Sequence, residues 1–199
     1  MFKHAVDQSG FTVVDVGDDC DIARFCHNSI LAELVALFVM ITDEYLRRNA
    51  EYAPSHQGAL PLLPSKQVAV VACMDARLDV YRILGIAPGE AHVIRNAGGV
   101  VTDDVIRSLV ISQRLLGTRE IILIHHTDCG MLTFSSDAFK REIQNDTGIK
   151  PTWSAEAFED LDEDLRMQMA RIQASPFLIS KQVRGFVFDI ATGLLREVI

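Results

Sequence analysis

The sequence is poor in basic side chains: 19 Lys and Arg stand against 27 Asp and Glu, for a formal net charge of -8. That deficit argues against a non-specific grip on nucleic acid or on an anionic membrane, since both need a basic surface. Cysteine is sparse as well. Four in 199 residues, Cys20, Cys26, Cys73 and Cys129, are too few for a disulfide scaffold and suit metal binding or catalysis better. No apolar run reaches the roughly 18 to 20 residues that cross a bilayer; the longest extends only from Ile30 to Ile41 and is broken by Glu33. The first residues, MFKHAVDQSGF, also lack the apolar stretch of a signal peptide. A cytoplasmic protein with a small ligand is the expectation. Prolines number only six and there is no low-complexity tract, while hydrophobic residues make up 49%, enough for one sizeable core.

What the sequence does contain is an alternation of short apolar runs with amphipathic segments. Residues 68–72 (VAVVA), 91–94 (AHVI), 121–125 (IILIH) and 185–190 (GFVFDI) read as strands buried on both faces of a mostly parallel sheet. Between the second and third, Thr102 is placed to cap a helix, Asp103 and Asp104 favour its positive end, and Gly117 closes it. A second helix is expected over Ala155 to Ala174, acidic at its start and stopped by Ser175-Pro176. The fold class that follows is α/β, a mostly parallel β-sheet flanked by helices. Ligands of such sheets bind beyond the carboxyl ends of the strands.

Two strand ends carry chemistry to that rim. Cys73 stands where the first strand runs out, within VVACMDAR, and HTDC, with His126 and Cys129, stands where IILIHH runs out. Two thiolates and an imidazole suit zinc, and three protein ligands leave a fourth position open, as in catalytic rather than structural sites, where a bound water is acidified to a pKa of about 7. Asp75 and Arg77 bear on that fourth position. Turned toward the metal, the Asp75 carboxylate would close the site; paired with Arg77, it would leave room for water.

The two-part pattern C-x-D-x-R (Cys73, Asp75, Arg77) and H-x-x-C (His126, Cys129), together with RNAGG (Arg95 to Gly99) and HHTDCGM (His125 to Met131), resembles the β-class carbonic anhydrases, most nearly their compact bacterial branch. The resemblance implies one zinc ion per subunit held by Cys73, His126 and Cys129. It also implies an Asp75–Arg77 dyad that orients the attacking water or, in a closed form, Asp75 as fourth ligand. Carbon dioxide and bicarbonate would be the substrates and a homodimer or homotetramer the assembly. Either His125 or His126 could face the metal; neighbours on a strand point to opposite faces, and the family's H-x-x-C spacing selects His126, leaving His125 packed or hydrogen-bonded on the other face. Asp128 reads either as an acceptor that fixes the His126 tautomer or as a solvated turn carboxylate, and stays outside the expected site. The RNAGG glycines suit close backbone approach beside the metal, because Asp103 and Asp104 would repel a phosphate.

Two other functions fit the same motifs: a hydrolase of carbonyl sulfide or carbon disulfide on the same zinc ligands, and a non-catalytic regulator whose zinc is structural. Residues 1–39 have no counterpart in the family pattern, whereas MITDEYL from Met40 resembles the start of such a protein. The expected organisation is a catalytic domain over residues 40–199 behind an N-terminal extension, with Met40 an alternative initiator. Otherwise residues 30–48 form one amphipathic helix laid across a partner subunit.

Overall fold

The computed structural model of the chain describes residues 40–199. Cys20, Cys26, the apolar run up to residue 39 and the expected extension lie outside the described residues. These residues fall into two units, divided after Gly58. The first holds helix α1 (Ile41–Tyr52) and a short 3-10 turn (Ala53–Ser55). Arg47 with Glu51 and Arg48 with Glu44 pair one helical turn apart along α1, which buries none of its residues. Among the described residues no helix is long and apolar enough to cross a membrane.

The second unit is built on a five-stranded sheet. Strands β1 (Val68–Cys73), β2 (Ala91–Asn96), β3 (Glu120–His126), β4 (Gln182–Phe188) and β5 (Leu195–Val198) lie in the order β2-β1-β3-β4-β5. The first four are parallel and β5 is antiparallel to β4. Central β1 is buried from Ala69 to Cys73, as its unbroken apolar run requires. From β1 the chain moves outward to β2 and then crosses back to β3 on the other side. Strand order therefore reverses between β1 and β3, and the crevice at their carboxyl ends is the topological switch point where ligands of such sheets bind.

Helices α2 (Val80–Leu84), α3 (Asp103–Arg114), α4 (Ser136–Thr147) and α5 (Leu161–Ala174) complete the unit. Helix α3 starts and stops as its sequence dictates: Thr102 Oγ1 accepts from the Val105 N–H, and beyond Gly117, at φ 76°, the Thr118 N–H reaches back to the Ser112 carbonyl at 3.1 Å. Helix α5 is shorter than expected. The acidic residues before it look like a first turn, but Asp160 is the cap, its Oδ1 accepting from the Glu163 N–H at 2.8 Å. Glu156 sits at φ 56°, outside helical space, with its carboxylate 2.9 Å from Arg171 Nη1. Residues 155–160 are thus irregular rather than helical, and Ala157 and Phe158 donate their N–H groups to Ser136 Oγ and the Met131 carbonyl.

The core has two parts. Ala69, Val71, Ile121, Leu123 and Val187 pack with Val105, Leu109, Leu165 and Ile172 of α3 and α5. Val70, Ala72, Ile124 and Phe188 pack with Leu78, Val80 and Met131. Cys73 and Cys129 are buried within the second cluster.

Candidate metal centre

Cys73, His126 and Cys129 meet at the switch point. All three are buried, and one ligand atom from each, two sulfurs and a ring nitrogen, lies within 4.8 Å of the others. His126 Nδ1 is 2.9 Å from the Thr127 carbonyl, which fixes the proton on Nδ1 and leaves Nε2 as a bare lone pair. That Nε2 is buried with no hydrogen-bond partner. A buried ring nitrogen without a partner is costly; beside two sulfurs, the natural partner is a metal ion. The three residues could hold one, and the donor set fits.

The electrostatics of the cluster point the same way. The Cys129 thiol beside it pulls Cys73 well below the usual thiol range, helped by His126 and by the backbone N–H groups of Asp75 and Gly98, although burial opposes this. Cys129 is pushed up in return, by the Cys73 sulfur and by burial. Burial pushes His126 down, but Cys73 and the Thr127 carbonyl outweigh it and leave it raised. Negative charge is thus stabilised on one sulfur and positive charge is welcome next to it.

Asp75 and Arg77 form the pair the sequence left open. Arg77 Nε and the Arg77 N–H donate to Asp75 Oδ1 at 3.0 and 2.9 Å, and Nη2 donates to Oδ2 at 2.8 Å. This bidentate grip holds the Asp75 carboxyl well below the usual carboxylate range. Asp75 Oδ2 remains 3.7 Å from His126 Nε2, so the carboxylate borders the cluster while Arg77 occupies it.

The partners of Asp128 and of Arg95 do not follow from the sequence. Asp128 does not touch the His126 ring; its Oδ2 accepts from Arg77 Nη1 at 2.7 Å and its carbonyl from Nη2 at 3.0 Å. Arg77 therefore staples the turn after Cys73 to the turn before Cys129. Arg95, the first residue of RNAGG, donates from Nε to the Cys73 carbonyl (3.0 Å) and from Nη2 to the Asp75 carbonyl (2.6 Å), while the Met74 N–H donates to the Asn96 carbonyl at 2.8 Å. The position of RNAGG at the end of a strand next to Cys73 was the available signal. His125 turns away from the cluster, as alternation requires, with Nε2 2.7 Å from Asp164 Oδ2.

The glycines of RNAGG serve close approach. Gly99 adopts φ 68°, and a Cβ there would lie 2.7 Å from the Cys73 nitrogen, 2.8 Å from the Ala72 carbonyl carbon and 3.0 Å from the Ile124 oxygen. A cavity of about 750 Å³ lined by residues such as Val101, Trp153, Arg171 and Phe177 shares no residue with the cluster.

Comparison with known proteins places these residues in context. A family model described as carbonic anhydrase matches residues 68–191. The chain is similar to Beta-carbonic anhydrase 1 of Mycobacterium bovis, with 67% identity over 159 residues, 79% of this chain and 98% of that protein. It is also similar to a carbon disulfide hydrolase of an Acidianus strain, with 35% identity, covering 78% of this chain and 87% of that one. Among solved structures, a carbonic anhydrase from Streptococcus mutans superposes with a TM-score of 0.76 at 41% identity, covering 81% of this chain and 99% of the other.

Proposed function

From the premise that the chain belongs to the β-class carbonic anhydrase family, we propose that it is a zinc-dependent carbonic anhydrase interconverting carbon dioxide and bicarbonate. The observation that carries this reading is the unpartnered, buried His126 Nε2 beside the sulfurs of Cys73 and Cys129, with Asp75 held by Arg77 at the cluster's edge. Zinc bound there supplies Lewis-acid activation that makes water a nucleophile near neutral pH.

The chain's own residues do the rest. Cys73, His126 and Cys129 bind, one ion per subunit. Asp75 Oδ2 accepts a hydrogen bond from the attacking water and aims its lone pair at the carbon of CO2. As the O–C bond forms, one C=O electron pair moves to oxygen, and loss of a proton to solvent leaves bicarbonate. Arg77 keeps Asp75 ionised and off the metal position, with Asp128 and the Asp128 carbonyl fixing Arg77 in turn. Catalysis is assigned to residues 40–199, with residues 1–39 an extension. A cytoplasmic homodimer or homotetramer is the proposed form.

The second reading, hydrolysis of carbonyl sulfide or carbon disulfide, draws support from the lower-identity relatives named carbon disulfide hydrolase. Stopped-flow CO2 hydration set beside sulfide release from CS2 separates the two. Fast hydration without sulfide release is expected; sulfide release with no hydration would refute the assignment.

Arg77→Ala tests the dyad. Losing the bidentate pair frees Asp75 to swing toward the cluster, so zinc should stay while activity falls by about 10- to 100-fold. Crystals of the variant should show the carboxylate at the metal, and full activity with Asp75 on the metal would remove the gating role. The pH profile carries a sign. Asp75 is held below its usual range, so its contribution is present above the ordinary carboxylate pKa and is lost only as pH falls through the lowered one. Activity should therefore rise from neutral toward alkaline pH without an Asp75 step, because the two thiolates offset the metal's charge and weaken its pull on water. A profile that flattens below neutrality and falls only in the carboxylate range would contradict this.

A further inference from the structure

Behind the metal cluster, on the other face of β3, lies a buried chain of polar groups that the proposed chemistry does not use. His125 Nε2 is 2.7 Å from Asp164 Oδ2; Asp164 Oδ1 accepts from Gln168 Nε2 at 3.0 Å; Gln168 Oε1 accepts from the Val101 N–H at 2.8 Å. His125 and Gln168 are fully buried and Asp164 is 4% exposed. The His125 ring stacks on Phe158, 5.2 Å between centroids and 13° from parallel.

Both ends of this relay abut metal ligands. His125 is the residue before His126. Val101 follows the RNAGG turn, whose Gly99 backbone is wedged against the Cys73 nitrogen. Helix α5 contributes no ligand, yet through Asp164 and Gln168 it ties down the strand end that carries one ligand and the turn that backs another.

The donors and acceptors make the relay directional. The Val101 N–H can only donate, so Gln168 must present its oxygen there and its NH2 to residue 164. Residue 164 then faces a donor from Gln168 and another from His125. Only a group that accepts at both atoms satisfies both, which a carboxylate does and an amide does not. A buried network of this kind is stable when every link is made and costly when one is broken. We propose that Asp164 and Gln168 are positioning residues for the metal centre, acting through His125 and Val101 to hold His126 and Cys73 at binding distance. This rests on the reading of Cys73, His126 and Cys129 as zinc ligands.

The directionality supplies its own test. Asp164→Asn sets two NH2 groups face to face, turns Gln168 so that its NH2 meets the Val101 N–H, or gives its NH2 to a His125 whose proton has moved to the buried, partnerless Nδ1; each leaves a buried N–H without an acceptor. Gln168→Glu sets two carboxylates together. The double change Asp164→Asn with Gln168→Glu reverses the middle link at unchanged net charge. The new amide at position 164 accepts from His125 and donates to the new carboxylate at position 168, which in turn accepts from the Val101 N–H. The measurements are zinc release from the full-length loaded protein into excess chelator and the visible absorption of the cobalt(II)-loaded protein. Each single variant should release zinc at least about tenfold faster than the parent and shift the cobalt bands, and the double variant should return to within about twofold. Leu165→Ala, a fully buried change on the same helix that leaves the relay intact, is measured at the same interval below its own Tm and should keep the parent rate and spectrum.

Single variants that hold zinc as tightly as a zinc-binding parent would overturn the proposal. So would a double variant that regains thermal stability but still loses zinc fast, or a Leu165→Ala protein that releases zinc as fast as Asp164→Asn. Should a single variant not fold, the double variant decides: slow release in a folded protein supports the relay, and fast release refutes it. A parent protein that binds no zinc sinks the metal reading, and the relay's purpose with it.

Discussion

Alanine at Cys73, His126 or Cys129 is expected to abolish zinc binding and reduce CO2 hydration to the uncatalysed rate. Each residue supplies one of three ligand atoms gathered within 4.8 Å, and two remaining ligands cannot complete a stable tetrahedral site. Changes to groups that merely orient ligands commonly cost about 10- to 100-fold in metal affinity, and removing a ligand should exceed that. Elemental analysis of the purified variants reads the outcome directly, and one zinc per chain in any of them would strike that residue from the site. Cys20→Ala and Cys26→Ala serve as controls and should keep full metal content. For His126 the loss has a second cause: the ring is fully buried, so its removal also leaves a cavity on the cluster side of β3.

Gly99→Ala should be nearly as damaging, although residue 99 has no side chain to offer the metal. At φ 68° an alanine carries roughly 1–2 kcal/mol of backbone strain. Its Cβ would also meet the Cys73 nitrogen at 2.7 Å and the Ala72 carbonyl carbon at 2.8 Å. Those atoms belong to the central strand, so no flexible side chain can yield. A total cost of about 3–5 kcal/mol places this among the severe single substitutions, and in a chain of this size it corresponds to a fall in Tm of roughly 10 °C. The shift falls on the backbone of a ligand, so zinc affinity should drop with stability. Gly117→Ala is the matched comparison: its φ is 76°, but nothing lies within 4 Å of the added Cβ, so only about 1 kcal/mol of strain is expected. Equal Tm losses in the two variants would show that steric contact with β1 is not the cause.

The parts of this structure that were legible in the sequence are those where burial is complete. β1 and β3 announce themselves as unbroken apolar runs because both faces are covered, and their ends point to the ligands. Alternation set His125 and His126 on opposite faces, and the H-x-x-C spacing of the resemblance singled out His126. β5 escaped notice because LREV lies at the sheet edge with two exposed residues, and α4 because none of its residues is buried, so neither shows a periodic apolar pattern. The start of α5 was misread since acids before a helix look alike whether they cap it or precede it. Asp128 was invisible as a partner of Arg77, since that contact joins residues 51 positions apart. The state of Asp75 was open for the same kind of reason: composition offers both a metal and a guanidinium, and only the turn geometry sets the carboxylate against Arg77.

The reversal of strand order between β1 and β3 also fixes a sequence of events in time. Val68 pairs with Glu120, so the two halves of the ligand set meet only after β2, α3 and their connections have formed or been looped out, a slow, non-local closure. Until that pairing is made, Cys73 is a lone thiol and His126 and Cys129 are a weak two-point site. A nascent or refolding chain is therefore expected to gain the complete ligand set only once β1 and β3 have paired, so metal capture should follow that non-local step rather than precede it.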